Sequence, residues 1–169
     1  MRKRFLTAVI VCTCFLGIMV SVSAAASQAP SSSTPLKFSF WPGVFSWPSG
    51  LNVYGLSLGL PASDGESDCI VGGVDAAIVL SKTPNVKGIQ LAFVSIGKDS
   101  AGVQFGVANA ADNIEGMQAG IFNDAINNST FFQIGLINKS KKSRGLQIGL
   151  LNFMDNGMFP VFPLFNYSK

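Results

Sequence analysis

Residues 145–152 read GLQIGLLN, and the reading of this stretch decides the fold. It holds two glycines, a glutamine, an asparagine and four aliphatic side chains, a composition that no catalytic motif explains. Near-copies recur along the chain. Glutamine stands at Gln90, Gln104, Gln118, Gln133 and Gln147, at intervals of 14, 14, 15 and 14 residues. Asparagine follows five residues later at Asn109, Asn123, Asn138 and Asn152, with Ser95 in that place in the first copy. Glycine precedes the glutamine by two at Gly88, Gly102, Gly116 and Gly145, and Phe131 is the exception. It follows by two at Gly106, Gly120, Gly135 and Gly149, with Ala92 the exception. The unit is therefore G-h-Q-h-G-h-h-N, with h apolar, plus about six variable residues. Weaker copies flank it: GVDAAIVL from Gly73 with Asp75 in the glutamine slot, GLSLGLPA from Gly55 with Ser57 there, and FPVFPLFN ending at Asn166. A fixed period over about eight units is the mark of a repeat architecture.

Each unit alternates. Leu146, Ile148 and Leu150 share one parity, and Gly145, Gln147 and Gly149 share the other. Period-two alternation predicts a strand, and two glycines in eight residues would weaken a helix by about 2 kcal/mol per unit relative to alanine. The variable pieces, such as KDSA, INNS and MDNG, have turn chemistry. The aliphatic parity is expected to face a dry core, with Ile148 central in it. Glutamines at one height can stack into an amide ladder, as identical side chains on in-register strands do. Asparagine shares the parity of the aliphatic side and is expected to turn inward at a corner, where it tolerates left-handed backbone. The expected fold is an all-β solenoid of about eight 14-residue units. The alternative is an eight-stranded antiparallel barrel or meander with its aliphatic residues outward. Three features count against a membrane barrel: apolar cores near eight residues where about 9–11 are needed, loops that do not alternate in length, and repeat strands without aromatic girdles. Pro160 and Pro163 favour the solenoid, because a strand lacking ladder donors suits a terminal edge that a closed barrel does not have.

The chain opens with MRKRFLTAVIVCTCFLGIMVSVSAAASQA, a cationic start, an apolar run from Phe5 to about Val22 and small residues after it. This is the pattern of a secretory signal, and an uncleaved anchor is the competing reading of so long a run. The domain reading is a signal peptide over 1–24, a Ser/Pro-rich leader over 25–36, an aromatic cap over 37–54, the repeat body over 55–158 and a Pro/Phe-rich capping unit over 159–169. Setting aside Arg2, Lys3 and Arg4 leaves 9 basic against 9 acidic residues. A neutral body has no electrostatic reason to bind nucleic acid or anionic lipid. Without any histidine, the commonest general base is missing. Once Cys12 and Cys14 leave with the signal, Cys69 is the one remaining cysteine, too few for an internal disulfide.

Chemistry is sought and mostly set aside. Asp64, Glu66 and Asp68 have the alternate spacing of a calcium loop, but the distal bidentate glutamate is missing. Cys69 has no histidine to activate it. Lys139, Lys141, Lys142 and Arg144 make a basic turn that could touch anionic glycans or lipid heads. Asn127, Asn138 and Asn166 match the glycosylation acceptor pattern, here read as chance composition. No catalytic, cofactor or metal residue is assigned. The candidate residues are the ladder positions: Gln90, Gln104, Gln118, Gln133, Gln147, Asn109, Asn123, Asn138, Asn152 and Asn166.

The tandem GVQFGVAN, GMQAGIFN, FQIGLIN and GLQIGLLN, closing on NGMFPVFPLFNYSK, resemble the bacterial surface repeat-containing proteins. The resemblance covers about residues 53 to 169. It implies export and surface or outer-membrane association, and it brings no reaction and no functional residues. Phe131 and the degenerate first two units depart from the pattern. The expectation is an exported, non-enzymatic surface protein with a structural or adhesive role and no cofactor, its partners unspecified cell-surface components. The alternative is a small outer-membrane barrel serving as pore or anchor.

Overall fold

The computed structural model describes residues 32–127 and 129–169. The signal region over 1–24, with Cys12 and Cys14, lies outside the described residues. Thirteen strands account for the fold, and there is no helix among the described residues. At the N-terminal end are β1 (Ser33–Trp41), β2 (Phe45–Trp47), β3 (Asn52–Gly59), β4 (Ala62–Asp64), β5 (Ile70–Ala77), β6 (Leu80–Lys82) and β7 (Asn85–Leu91). The regular body follows with β8 (Val94–Phe105), β9 (Ala108–Ala119), β10 (Phe122–Ala125), β11 (Ser129–Ser140) and β12 (Ser143–Met154), closed by β13 (Val161–Ser168).

The strands stack in parallel into a β-solenoid of about seven turns. One turn shows how the repeat produces it. In β8, Val94–Gly97 pairs with Ala108–Ala111, and Asp99–Phe105 pairs with Asn113–Ala119. A long wall and a short wall therefore alternate, with one corner at the variable residues and the other at the second glycine. The register carries each residue onto its counterpart one turn away: Gln90 on Gln104, Gln104 on Gln118, Gln118 on Gln133, and Gln133 on Gln147. Because successive strands pair in parallel, the chain does not form an antiparallel barrel or meander.

The first glycine of the unit is required by its backbone. Gly102 and Gly116 have φ of 137° and 138°, which L side chains rarely adopt, and a Cβ on Gly116 would overlap the Gly102 carbonyl oxygen.

Two expectations need correction. The segment FPVFPLFN is not a further coil. β13 runs antiparallel to β12 and brings Asn166 opposite Gln147, while Asn152 lies opposite Phe162. The chain reverses through residues 155–160, so the last strand lies down as an edge strand in the opposite direction. The second correction concerns the core. Gln133, Gln147, Asn138 and Asn152 are fully buried, whereas Ile148 is 41% and Leu150 61% exposed and Leu146 is only half-buried. The glycine and glutamine parity faces inward, and the aliphatic parity faces out. The coil is narrow: a turn of the regular body places a glutamine, an asparagine and one or two further side chains such as Ala111, Ile114 or Ala125 inside. The stacked amides satisfy one another there, and the parity of Leu146, Ile148 and Leu150 is left outside.

Candidate functional site

The buried amides form two ladders. Along the long wall, Gln104 Nε2 donates to Gln90 Oε1 at 2.8 Å, Gln118 to Gln104 at 2.8 Å, Gln133 to Gln118 at 2.6 Å and Gln147 to Gln133 at 2.7 Å. The same amide nitrogens also reach across the lumen to the short wall. Gln118 donates to the Asp124 carbonyl, Gln133 to that of Lys139 and Gln147 to that of Phe153, at 3.2–3.3 Å. Each glutamine thus joins turn to turn and wall to wall.

The second ladder stands at the glycine corner. Asn109 Nδ2 donates to Asn123 Oδ1 at 2.9 Å, Asn123 to Asn138 at 2.8 Å and Asn138 to Asn152 at 2.8 Å. Their remaining protons go to the Ala119, Ile134 and Ile148 carbonyls, each at 2.9 Å. A Cβ on Gly120, Gly135 or Gly149 would overlap the carbonyl oxygen of the glycine one turn before and press on the asparagine amide of that turn, which is why that corner is glycine. The glutamines donate toward the N-terminus and the asparagines toward the C-terminus. The two rows of amide dipoles therefore oppose each other and leave little net field along the axis.

The ladders end differently. At the N-terminal end Gln90 donates to Ser81 Oγ, and Asp75 Oδ2 accepts from Ser63, Ser81 and Thr83. Asp75 occupies the glutamine slot and is fully buried. Ser57 and the buried Lys37 continue the same column. Two inter-strand steps separate Lys37 from Asp75, roughly 10 Å, so one basic and one acidic side chain are buried in the same column. At the C-terminal end Asn166 does not extend either ladder: its Nδ2 donates to the Phe159 carbonyl at 2.7 Å. Asn166 is thus a cap residue rather than a rung.

The other candidates have structural places. Asp64 accepts from the Gly43 N–H at 2.8 Å and Glu66 from the Gly50 N–H at 2.7 Å. These two carboxylates pin the N-terminal hairpin, and among the described residues no group of three His, Cys, Asp or Glu side chains could hold a metal ion. Cys69 is buried, and burial, with Glu66 next, pushes its thiol pKa up. That is opposite to what a nucleophilic cysteine needs. Lys139 pairs with Asp124 at 3.3 Å on the surface, and Lys141, Lys142 and Arg144 are exposed. Asn138 and Asn166 are buried in hydrogen bonds and are closed to glycosylation.

What the sequence reading missed is outside. The positions one before and one after the glutamine build two apolar columns on the long wall. One runs from Leu36 through Ile89 and Leu146 to Tyr167, the other from Phe38 through Phe105 and Ile148 to Phe165. A third column rounds the glycine corner with Phe93, Ile121, Leu136 and Leu150, and a fourth opens the short wall with Phe122 and Leu151. No charged residue occupies any of the four. Charges stand on either side of them: Lys87, Glu115 and Arg144 on the long wall, and Lys82, Asp124 and Lys139 on the short one. The signal is present in the sequence as four charge-free slots in every unit, but alternation alone does not say whether such slots face in or out.

No family model, no curated protein and no solved structure matches the chain.

Proposed function

We propose that the chain is an exported, non-enzymatic repeat protein whose solenoid body has a structural or adhesive role at the cell surface. The observation that carries the reading is the placement of the repeat's signature amides. Every glutamine and asparagine that defines the unit is buried and hydrogen-bonded to its counterparts, so the repeat builds a rigid body and leaves its variable turns and outer walls for contact. The cationic start, apolar run and alanine-rich exit of residues 1–26 support export. The likeness of the tandem units to bacterial surface repeat proteins supports the location. A barrel pore does not agree with the parallel stack, which encloses hydrogen-bonded amides rather than a channel.

The test is fractionation of cells expressing the full chain, with surface proteolysis and N-terminal sequencing of the recovered protein. The expected result is a mature chain beginning near Ala25 or Ser27 in an exported fraction. Intact Met1 in that fraction refutes cleavage, and recovery confined to the cytoplasm refutes export.

A further inference from the structure

The apolar columns raise the question of what covers them. Each long-wall column spans nine stacked positions, roughly 38 Å at the inter-strand spacing. Across the strands the belt covers five residue steps, giving an area on the order of 600 Å². This is at the upper limit of the largest apolar patch on a typical soluble monomer. The belt is convex, because it leaves the long wall, rounds the glycine corner and continues onto the short wall. Leu136 and Leu150, at the crest of that corner, are 54% and 61% exposed.

We propose that this belt lies in the surface of a lipid layer, with the solenoid axis parallel to the layer. Three features select lipid over a second copy of the chain. A flat isologous contact would cover one wall and leave the crest and the far side wet, whereas fluid acyl chains follow a ridge. Charged residues stand at intervals along both long margins of the belt, alternating with uncharged ones such as Ala101 on one and Ile96 and Ala110 on the other, and they would meet headgroups while the ridge is immersed, as in helices that lie in an interface. Trp47 at one end and Tyr167 at the other carry amphipathic rings that favour the headgroup level, and the apolar rings of Phe93, Phe105 and Phe122 lie along the belt between them. The body beyond residue 31 has balanced charge, so attachment comes from apolar burial and needs no anionic lipid. The inference names the partner of the surface reading above and rests on it only for which membrane the chain meets.

The experiment uses the purified chain as cells produce it and vesicles of phosphatidylcholine alone. Flotation with the vesicles, unchanged in high salt, is expected. The two tryptophans are Trp41 and Trp47, and the exposed Trp47 extends the Phe38 column, so their emission should shift to the blue on binding. The paired change Leu136→Ser and Leu150→Ser should keep the thermal melt and weaken vesicle partition by roughly tenfold or more. The pair Lys141→Ala and Lys142→Ala, off the belt, should leave partition unchanged. Absence of flotation and of the fluorescence shift in the unsubstituted chain overturns the proposal, whatever the variants do. Flotation that survives the serine pair overturns it too. A dimer that the serine pair dissociates, without vesicle binding, assigns the belt to a second copy instead. Failure here leaves the export result untouched, since fractionation reads that separately.

Discussion

At the scale of single residues, the amide ladder is where a small change has a large effect. Gln118 donates to Gln104 and to the Asp124 carbonyl, and accepts from Gln133. Alanine there leaves buried partners unsatisfied, each at about 1–3 kcal/mol, so Gln118→Ala should destabilise by about 3 kcal/mol or more. Lys141→Ala, on an exposed turn, should stay within about 0.5 kcal/mol. Denaturant melts of the two variants check this, and similar midpoints would mean that the ladder contributes little. Cys69 gives a pH prediction. Its thiol pKa is raised in the fold by burial first and by Glu66 second, so above the ordinary thiol pKa the unfolded chain loses its proton while the folded chain keeps it. Stability should therefore fall as pH rises through that range. Alkylation of the native protein at neutral pH should also be slower than that of an unfolded control.

At the scale of the strand, the two parities have exchanged the roles expected of them. Ile148, expected in a dry core, lies on the outer wall. Ile148→Arg should consequently fold and melt close to wild type in buffer; a collapse of the melt would place the side chain back inside. The glycines carry the opposite sensitivity. Gly116→Ala combines a φ of 138° with overlap on the Gly102 carbonyl and should cost about 2–3 kcal/mol. Gly43 has a φ of 76° and nothing within 4 Å of a built Cβ, so alanine there meets backbone strain alone, about 1 kcal/mol. Comparing the two melts separates the close approach of stacked strands from φ strain.

At the scale of the molecule, the ends decide whether a stack stays finite. β13 covers the edge of β12 in the antiparallel sense, and Pro163 within it has no N–H to donate. Gln147 Oε1 at that end accepts from no neighbour, so the ladder stops there with an open acceptor. Truncation after Asn156 should bare both the β12 edge and this acceptor to another chain. The truncated protein should form concentration-dependent fibrillar aggregates by light scattering and thioflavin binding while the full chain stays clear. Equal clarity of the two would show that β13 is dispensable as a cap.

The repeat, its period and the strand conformation could be read from the sequence, because Gln90 through Gln147 recur at near-constant intervals within alternating segments; the parallel stacking that puts the glutamines in register was the expected fold, with an antiparallel barrel or meander as the alternative. Pro160 and Pro163 likewise pointed to a terminal edge. Which side of the strand is inside could not be read, since alternation permits either parity equally. Gln147 and Asn152 are five residues apart, which in one continuous strand would put them on opposite sides. They are both inside because the chain turns a corner between them at Gly149 and Leu150, a reversal that belongs to the backbone path. Only the tertiary structure shows a lumen filled by the glutamine parity, its bridging amides together with small and aliphatic side chains such as Val86 and Ile114. Once the amides satisfy one another across that lumen, the apolar columns are left to face outward.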